Sequence, residues 1–333
     1  SHAEGLVMDE PVLQIRDLCV TFNTPLGPLH AVRGVDLDVH ASEMVAVVGE
    51  SGSGKSVSFL AAMGLLPRTA TVSGSVMLQG RELVGASAKD LRAVRGHLLS
   101  MIFQDPLSAL NPVHRIGAQI AEMLQAHQKL SDKAARARAV DLLDIVGIPQ
   151  PGDRALQYPH EFSGGMRQRV VIAMAIANSP KVLIADEPTT ALDVTVQAQI
   201  LDLIRKMQRE LGMAVVFITH DLGVIARIAD RVQVMYAGRS VEVARVGDLF
   251  AGPRHPYTAG LLASIPAPDG GRVEPIPGAA PSMVQPPPGC AFHPRCAQAE
   301  AICRSEQPVL QPVLGVRRSF ACHRPLEAVE GSA

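Results

Sequence analysis

The first quarter of the chain has the hydrophobic pattern of short β-strands. Apolar or alternating runs there are separated by glycines and polar residues, which is typical of strands and turns. One run, residues 44–48, is apolar throughout, as expected for a strand buried on both faces. The predicted strands are residues 13–15, 35–39, 44–48 and a pair within 72–84 that turns at Gly80.

A helical period of 3.6 replaces this pattern between about residues 88 and 150, where strand signals vanish. The clearest helices of this stretch are residues 116–124 and 133–146. Helices and strands then alternate between residues 170 and 235, which indicates a parallel sheet. The chain is therefore predicted to form an α/β core that a helical insertion interrupts. The elements predicted after the insertion are helix 170–177, strand 182–185, helix 194–211 and strand 214–219.

A segment of the form G-x-x-x-x-G-K-[ST] directly follows strand 44–48, and residues 55–66 after it are predicted to be helical. Such a turn aims backbone N–H groups and the positive end of a helix dipole at one point, where a triphosphate fits. Its lysine reaches the β- and γ-phosphates, and its final hydroxyl holds Mg2+. A turn without a ligand is the alternative, but every fixed position and both flanks match. The residues predicted to bind the triphosphate of a nucleotide here are Gly49, Ser51, Gly52, Ser53, Gly54, Lys55 and Ser56.

Two carboxylates end the apolar strand 182–185. Asp186 is expected to orient Mg2+ through water, and Glu187 is expected to polarise the attacking water beside the γ-phosphate. Carboxylates at the start of a solvated loop are common, so this pair alone is a modest signal. Together with the phosphate loop, the pair predicts an enzyme that hydrolyses a nucleotide.

A second helix start with the chemistry to hold phosphate precedes the apolar run 170–177. Ser163 is predicted to cap this helix, and Gly164 and Gly165 allow close approach of the backbone. The N–H groups of a helix N-terminus form an anion site. An ordinary capped helix is the alternative interpretation of these residues.

Composition argues against nucleic acid as a partner. Lys and Arg number 31 against 32 Asp and Glu, so the net charge is −1 and no basic field is present. The chain has no Trp, and aromatic residues make up 3% of it, which leaves few platforms for stacking bases. No apolar run approaches the about 20 residues that span a bilayer. With no segment at its start that resembles a signal peptide, the protein is expected in the cytoplasm, with membrane contact only through a partner.

Four of the five cysteines lie in a proline-rich tail that begins after about residue 250. The tail has little apolar material of its own, so a metal or disulfides could order it. Disulfides are disfavoured in a cytosolic chain. Four thiolates suit tetrahedral zinc or a [4Fe–4S] cluster, and a tail without metal is the third possibility. The proposed ligands are Cys290, Cys296, Cys303 and Cys322; His293 and His323 are alternative ligands, and Cys19 is predicted to be a small core residue.

Taken in order, the motifs resemble those of the ATP-binding-cassette (ABC) ATPases over roughly residues 11–250. Gln104 matches the family's Q-loop, residues 190–193 match its D-loop, and His220 matches its switch histidine. The resemblance implies an α/β fold, an ABC-type nucleotide-binding domain. This domain has a parallel sheet core with the phosphate loop, an antiparallel β subdomain and a helical subdomain at about 88–171. A small cysteine-containing C-terminal domain would follow at 251–333.

In this family two cassettes face head to tail and hold ATP between the phosphate loop of one and the signature sequence of the other. The resemblance implies that Ser163, Gly164, Gly165 and Asp193 serve the partner's nucleotide. It also implies that His220 contacts the γ-phosphate and that Gln104 senses Mg2+ and signals to the membrane partner. Family members usually stack an aromatic residue on adenine; Phe22 is the candidate, and a simple core role is the alternative.

The whole chain resembles the ATP-binding subunits of dipeptide and oligopeptide importers. The residues that carry this resemblance are 103–112, 255–258, 276–278 and 289–296. It implies a second homologous ATPase subunit, two transmembrane permease subunits that meet residues 109–123, and an extracytoplasmic binding protein. The Ser-Val pair after Lys55 favours the first of the two ATPase subunits.

These importers place the protein at the cytoplasmic face of the inner membrane, bound through the permeases. Similar tails in some of them hold a [4Fe–4S] cluster, which favours the cluster over zinc. A nickel complex, glutathione or a peptide antibiotic is an alternative cargo. A soluble ABC ATPase of translation or DNA repair is a less favoured alternative, because the chain has one cassette and no basic surface.

Overall fold

The computed structural model describes residues 10–190, 192–265, 275–313 and 317–327. Ala191 of the predicted D-loop, the first nine residues and parts of the cysteine tail lie outside this range. The strands are β1 (Leu13–Thr24), β2 (Gly27–Val39), β3 (Met44–Val48), β4 (Ala70–Leu78), β5 (Arg81–Glu82), β6 (Leu99–Ile102), β7 (Val182–Asp186), β8 (Ala214–Ile218), β9 (Arg231–Tyr236), β10 (Arg239–Arg245), β11 (Gln311–Pro312) and β12 (Ser319–Phe320).

Helices lie in many of the connections between these strands. The α-helices are α1 (Lys55–Ala62), α2 (Ala88–Val94), α3 (Pro106–Ala109), α4 (Ile116–Gln125), α5 (Asp132–Ile145), α6 (Pro151–Arg154), α7 (Gly164–Ile176), α8 (Val194–Leu211), α9 (Leu222–Ile228), α10 (Val246–Ala251), α11 (Pro256–Ala263) and α12 (Ala301–Ser305). Two short 3-10 helices are Pro159–Glu161 and His293–Arg295. Among the described residues, none of the helices has the length and hydropathy of a membrane span.

The larger sheet has eight strands in the order β11-β12-β10-β9-β3-β8-β7-β6. Strands β9, β3, β8, β7 and β6 run parallel to one another. All residues of β3, β7 and β8 are buried, which explains their continuous apolar sequences. The carboxyl ends of parallel strands lie at one edge of the sheet, so the loops after them converge there.

The smaller sheet is antiparallel, with the order β2-β1-β4-β5. Its inner face packs with α1 and one face of the larger sheet around a core that includes Leu13, Val20, Phe59 and Ile184. Strand β1 carries an irregularity after Ile15. The antiparallel subdomain and the parallel core of the predicted fold are thus both confirmed.

One strand lies in the stretch that was predicted to contain helices alone. Strand β6 is buried along its whole length and pairs in parallel with β7. The prediction failed because a strand of four residues is too short for a period to separate it from a helix. This strand positions Gln104 at the same edge of the sheet as the residues that follow β7.

The remaining predicted elements are present; β3 and α8 have the predicted ends, and the others differ in their ends. Helix α1 stops at Ala62, earlier than predicted, because Gly64 adopts a positive φ and a proline follows at residue 67. Strands β1 and β2 extend far beyond their predicted cores and meet at a turn at Leu26. In the insertion, α4 and α5 pack with α7 around one apolar core.

The C-terminal tail is attached to the edge of the larger sheet. Strand β12 pairs with β10, and Glu242 of β10 is fully buried. Its carboxylate accepts hydrogen bonds from the backbone N–H groups of Arg254 and His255 and from the guanidinium of Arg318 at 2.6 Å. Residues before and after the undescribed ranges 266–274 and 314–316 therefore converge on the buried carboxylate of Glu242.

Candidate nucleotide-binding site

The phosphate loop connects β3 to α1 and has a conformation that two of its glycines make possible. Gly49 has φ 152 and Gly54 has φ 96. A Cβ atom at Gly49 would lie 2.1 Å from the carbonyl oxygen of Met235, and one at Gly54 would lie 2.4 Å from that of Ala31. Both approaches are too close for any side chain, so glycine is required at the two ends of the loop.

Lys55 is the first residue of α1, and its side chain folds back onto the start of the phosphate loop. Its Nζ atom donates to the carbonyl oxygen of Gly49 at 2.8 Å and to that of Glu50 at 3.0 Å. The residue is 7% exposed. Burial lowers the pKa of Lys55, while the carboxylates of Glu187, Asp186 and Glu50 oppose this shift. A buried ammonium surrounded by carbonyl oxygens gains a strong counter-charge when an anion enters the loop.

The hydroxyl of Ser53, also in the loop, is buried and has no hydrogen-bond partner among the described residues. Buried hydroxyls are nearly always satisfied, by protein, water or ligand. Ser53 therefore fits a loop whose hydrogen bonds are completed by phosphate oxygens.

Ser56 and Asp186 join the phosphate loop to the end of β7. The hydroxyl of Ser56 donates to Oδ1 of Asp186 at 2.8 Å. Burial raises the pKa of Asp186, and the neighbouring Glu187 adds to this, against the Ser56 hydrogen bond and Lys55. A hydroxyl and a carboxylate are oxygen ligands of the kind that Mg2+ prefers beside phosphates.

Glu187 collects the other residues that were predicted to be catalytic. Its carboxylate accepts from Nε2 of Gln104 at 3.1 Å and from Oγ1 of Thr190 at 3.0 Å. Nδ1 of His220 lies 3.1 Å from its other oxygen. The positive φ of Glu187, 45°, and its backbone bond to Ile218 orient this cluster at the ends of β7 and β8.

The environment of Glu187 favours its ionised form. Burial alone would raise the pKa of this carboxyl, but the hydrogen bonds of His220 and Thr190 and the charges of His220 and Lys55 lower it overall. An ionised carboxylate with bound polar neighbours is the state needed to orient and polarise a water molecule.

The predicted signature residues lie at the starts of two adjacent helices. Ser163 caps α7 by accepting from the backbone N–H of Met166, and Asp193 caps α8 by accepting from that of Val196 at 2.9 Å. A Cβ atom at Gly165 would lie 2.7 Å from Val196, so the two helix starts pack closely. Ser163 and Gly164 are exposed. Their backbone N–H groups are available to a ligand from outside the chain.

Phe22, the candidate for adenine stacking, lies in β1 opposite Leu29 of β2 and Ala70 of β4. It is half-buried and packs at the margin of the core between the two sheets. A half-exposed ring on a strand is compatible with either role, so its contact with adenine stays a prediction.

Several contacts at this site were not predicted from the sequence. Thr190 belongs to the predicted D-loop, but its hydrogen bond to Glu187 was not predicted; a hydroxyl three residues after the predicted base was the available signal. Glu50 lies inside the phosphate-loop motif at a position the motif leaves free. Its partners, Tyr257 and Arg295, are far along the chain, and no local pattern connects them to the loop.

The four tail cysteines line one pocket. Burial raises the pKa of Cys290 and Cys296, and it raises that of Cys322 to about 11, with the other three thiols adding to this last shift. All of these cysteines are free thiols. Several thiolates in one pocket repel one another unless a bound cation neutralises their charge. Four sulfur atoms in one pocket are therefore a donor set that suits a metal ion or cluster.

The ligand geometry itself is not formed in the structure. Among the described residues, no group of three or more His, Cys, Asp and Glu side chains is arranged to hold a metal ion. Nδ1 of His293 lies 2.9 Å from the carbonyl oxygen of Cys290, and Nε2 of His323 lies 2.9 Å from that of Glu306. Cys19 is half-buried in β1, so its assignment as a core residue was wrong.

Comparisons with known proteins place these features in a family. The model of the family described as "ABC transporter" matches residues 32–190, and that of "Oligopeptide/dipeptide transporter, C-terminal region" matches residues 241–303. A dimeric structure of the ATP-binding cassette MJ0796, bound to ADP and Pi in a post-hydrolysis state, superposes with a TM-score of 0.63 at 26% identity. That superposition covers 70% of this chain and 98% of the other.

Curated relatives match over nearly the whole chain. The oligopeptide transport ATP-binding protein OppD of Mycobacterium bovis is 54% identical over 318 residues, which are 94% of this chain and 52% of the relative. The chain thus spans about half the length of that relative. The dipeptide transport ATP-binding protein DppD of Bacillus subtilis is 51% identical, over 88% of this chain and 89% of its own length. The chain belongs to the ABC transporter family, among the ATP-binding proteins that carry the C-terminal region of oligopeptide and dipeptide transporters.

Proposed function

We propose that the chain is the ATP-hydrolysing subunit of an ABC importer for dipeptides or oligopeptides. The observation that carries this proposal is the convergence of Gln104, Thr190 and His220 on the carboxylate of Glu187, beside the phosphate loop. The names of the relatives and the match of the C-terminal region support a peptide cargo.

In the proposed reaction, the phosphate loop binds the triphosphate of ATP through its backbone N–H groups and Lys55. Ser56 and Asp186 would hold Mg2+ with Gln104, and the metal would neutralise charge on the β- and γ-phosphates. Glu187 accepts a hydrogen bond from the attacking water and polarises it. His220 then stabilises the charge that develops on the γ-phosphate.

The proposed nucleotide-binding domain spans residues 11–250, with a helical subdomain at about 88–171, and the C-terminal domain spans 251–333. The proposed location is the cytoplasmic face of the inner membrane. Two permeases would hold the chain there, beside a second ATPase subunit, and an extracytoplasmic binding protein would deliver the cargo. Exposed apolar side chains near residues 109–123 support a permease contact: Leu107 is 53% exposed and Val113 is 72% exposed.

Transport by the assembled complex tests the cargo. Proteoliposomes that contain both permeases, both ATPases and the binding protein should accumulate a labelled dipeptide or oligopeptide only when ATP is supplied. Accumulation of a nickel complex or glutathione without uptake of any peptide would contradict the peptide cargo and leave the ATPase assignment intact.

The isolated chain is expected to be a poor ATPase. The exposed helix start at Ser163 is proposed to complete the partner's site, and the chain's own nucleotide would need the same element from the partner. Loss of such preorganised donors costs about 10²-fold in rate, so addition of the second ATPase and the permeases should raise turnover by about that factor. High activity in a strictly monomeric preparation, measured as phosphate release per chain, would contradict the proposal of a shared site.

The four tail cysteines are proposed to hold a [4Fe–4S] cluster, with a structural or sensing role. Support comes from the pocket that Cys290, Cys296, Cys303 and Cys322 line together. The wide spacing of the cysteines suits a cube with a thiolate at each corner better than the close pairs of zinc sites. Zinc is the alternative.

Anaerobically purified protein is therefore expected to be brown and to contain about four irons per chain. Cys322→Ser removes one proposed ligand and should lower the iron content sharply. Cys19→Ser is the matched control, since Cys19 lies in β1 outside the cysteine pocket, and it should retain the iron. Colourless protein with one zinc per chain, or with no metal, would decide against the cluster.

A further inference from the structure

Arg295 of the cysteine tail is bound to the phosphate loop by a buried ion pair. Its guanidinium donates to both carboxylate oxygens of Glu50, at 2.8 Å and 3.0 Å, across 245 residues of sequence. The side chain of Arg295 is 6% exposed and that of Glu50 is 27% exposed. A bidentate pair of this kind is the strongest geometry available to a charged hydrogen bond.

The surroundings of Arg295 hold it in place independently of Glu50. Its Nε atom donates to the carbonyl oxygen of Pro277 at 2.8 Å. The guanidinium also lies over the rings of Tyr236 and Phe292, 5.8 Å and 5.9 Å from their centroids. An arginine fixed by a carbonyl and two aromatic rings loses little further entropy when it binds a carboxylate.

The backbone of Glu50 is held by the same part of the chain. Its N–H group donates to the hydroxyl of Tyr257 at 2.8 Å, and Tyr257 lies on α11 with its ring against Tyr236. Both the main chain and the side chain of Glu50 are thus fixed by residues beyond the nucleotide-binding motifs. The C-terminal segment therefore contributes to the conformation of the phosphate loop at this residue, together with the hydrogen bond from Lys55 to the Glu50 carbonyl.

Glu50 also places a negative charge in a loop that is proposed to receive a triphosphate. Its carboxylate is close enough to Lys55 to oppose the lowering of the pKa of that lysine. An unpaired carboxylate there would repel the phosphates and compete with them for the Lys55 ammonium. The guanidinium of Arg295 neutralises the charge of Glu50 and holds its carboxylate in a hydrogen-bonded pair.

We infer that Arg295 is a positioning residue for nucleotide binding, which neutralises Glu50 and holds this part of the phosphate loop in its binding conformation. The inference rests on the proposed function, since it requires ATP to bind at the loop. It gives the tail a direct effect on nucleotide affinity, through a residue that lies between two of the cysteines. The effect is electrostatic, so it should grow with the number of phosphates on the ligand.

ATP affinity of the full chain tests the inference, measured at low ionic strength with a fluorescent ATP analogue and by calorimetry with Mg2+ and ATP. Arg295→Gln should weaken ATP binding about tenfold, as expected for one unpaired charge several ångströms from the phosphates. The loss should be smaller for ADP and absent for adenosine. Glu50→Gln in the same chain should restore ATP affinity to within about threefold of the unmodified protein, because the repelling charge is gone.

Arg324→Gln is the matched control. It removes an arginine that pairs with Glu300 in the same tail, but that pair is exposed and does not reach the loop. This variant should bind ATP as the unmodified chain does. Equal losses for Arg295→Gln and Arg324→Gln, equal losses for ATP and adenosine, or no recovery in the double variant would overturn the inference.

Two further measurements separate the possible failures. The proposed function itself would be contradicted if the unmodified chain bound no ATP, or if Lys55→Ala bound ATP as tightly as the unmodified chain. If the unmodified chain binds ATP, Lys55→Ala binds it weakly and Arg295→Gln binds it with full affinity, only the role of Arg295 is contradicted. Should Arg295→Gln fail to fold, Glu50→Gln alone still decides. Its amide can still accept a hydrogen bond from Arg295 and carries no charge that repels phosphate, so it should bind ATP within about threefold of the unmodified chain, and weaker binding than that would overturn the inference.

Discussion

Replacement of Glu187 by glutamine should slow ATP turnover by a factor on the order of 10²–10⁴ and leave ATP binding intact. The carboxylate lies at the end of β7, where hydrogen bonds with Gln104, Thr190 and His220 orient it. The contacts with His220 and Thr190 also lower its pKa and favour the ionised form. A glutamine has nearly the same shape, but its neutral amide polarises water poorly. ATP would still meet the phosphate loop and Lys55, so the binding step does not depend on this charge.

The measurement is phosphate release by the assembled transporter, with ATP binding measured in parallel on the same preparation. Glu210→Gln is the matched control, since Glu210 lies on α8 and its pair with Lys206 is half exposed. It should hydrolyse ATP at the rate of the unmodified protein. Turnover by Glu187→Gln at that same rate would show that another group activates the water.

The parts of the site that sequence predicts well are those built from contiguous residues. Strand β3, the phosphate loop and the start of α1 follow one another without a break, and one buried strand plus a Gly-rich turn determine where their backbone groups point. The same holds for β7 and the carboxylates after it. Such motifs need no knowledge of distant contacts, and their predicted bounds are close to the observed ones.

Elements that depend on partners far along the chain could not be predicted from local sequence patterns. Strand β6 is too short to show a period, and it exists because β7 supplies its hydrogen bonds. Glu242 is an ordinary glutamate in the sequence, yet the tail attaches to it through Arg318 and two backbone groups. Tertiary pairing decided these features, and single-sequence patterns carry no information about it.

The ion pair of Glu50 and Arg295 is the clearest case. Glu50 occupies a position of the phosphate-loop motif that any residue can fill, so the motif assigns it no role. Arg295 lies in the segment 289–296, whose resemblance to importer subunits gives no partner for the arginine. The structure makes the two adjacent, with Tyr257 completing the contact. Loop and tail therefore form one physical unit at this point, although sequence reasoning treats them as separate domains.

Replacement of Lys55 by alanine should weaken ATP binding by a factor on the order of 10²–10³, from the loss of a buried charge within a few ångströms of the phosphates. The ammonium is bound to the carbonyl oxygens of Gly49 and Glu50, so its loss also removes the contacts that close the loop.

The matched control is Lys206→Ala, which removes an exposed lysine on α8 and should leave affinity unchanged. Affinity is measured by calorimetry with Mg2+ and ATP. Binding by Lys55→Ala at the affinity of the control would mean that the triphosphate does not use this loop. Because Lys55 meets the β- and γ-phosphates in the proposed complex, the loss should be larger for ATP than for AMP, whereas general damage to the fold would weaken both equally.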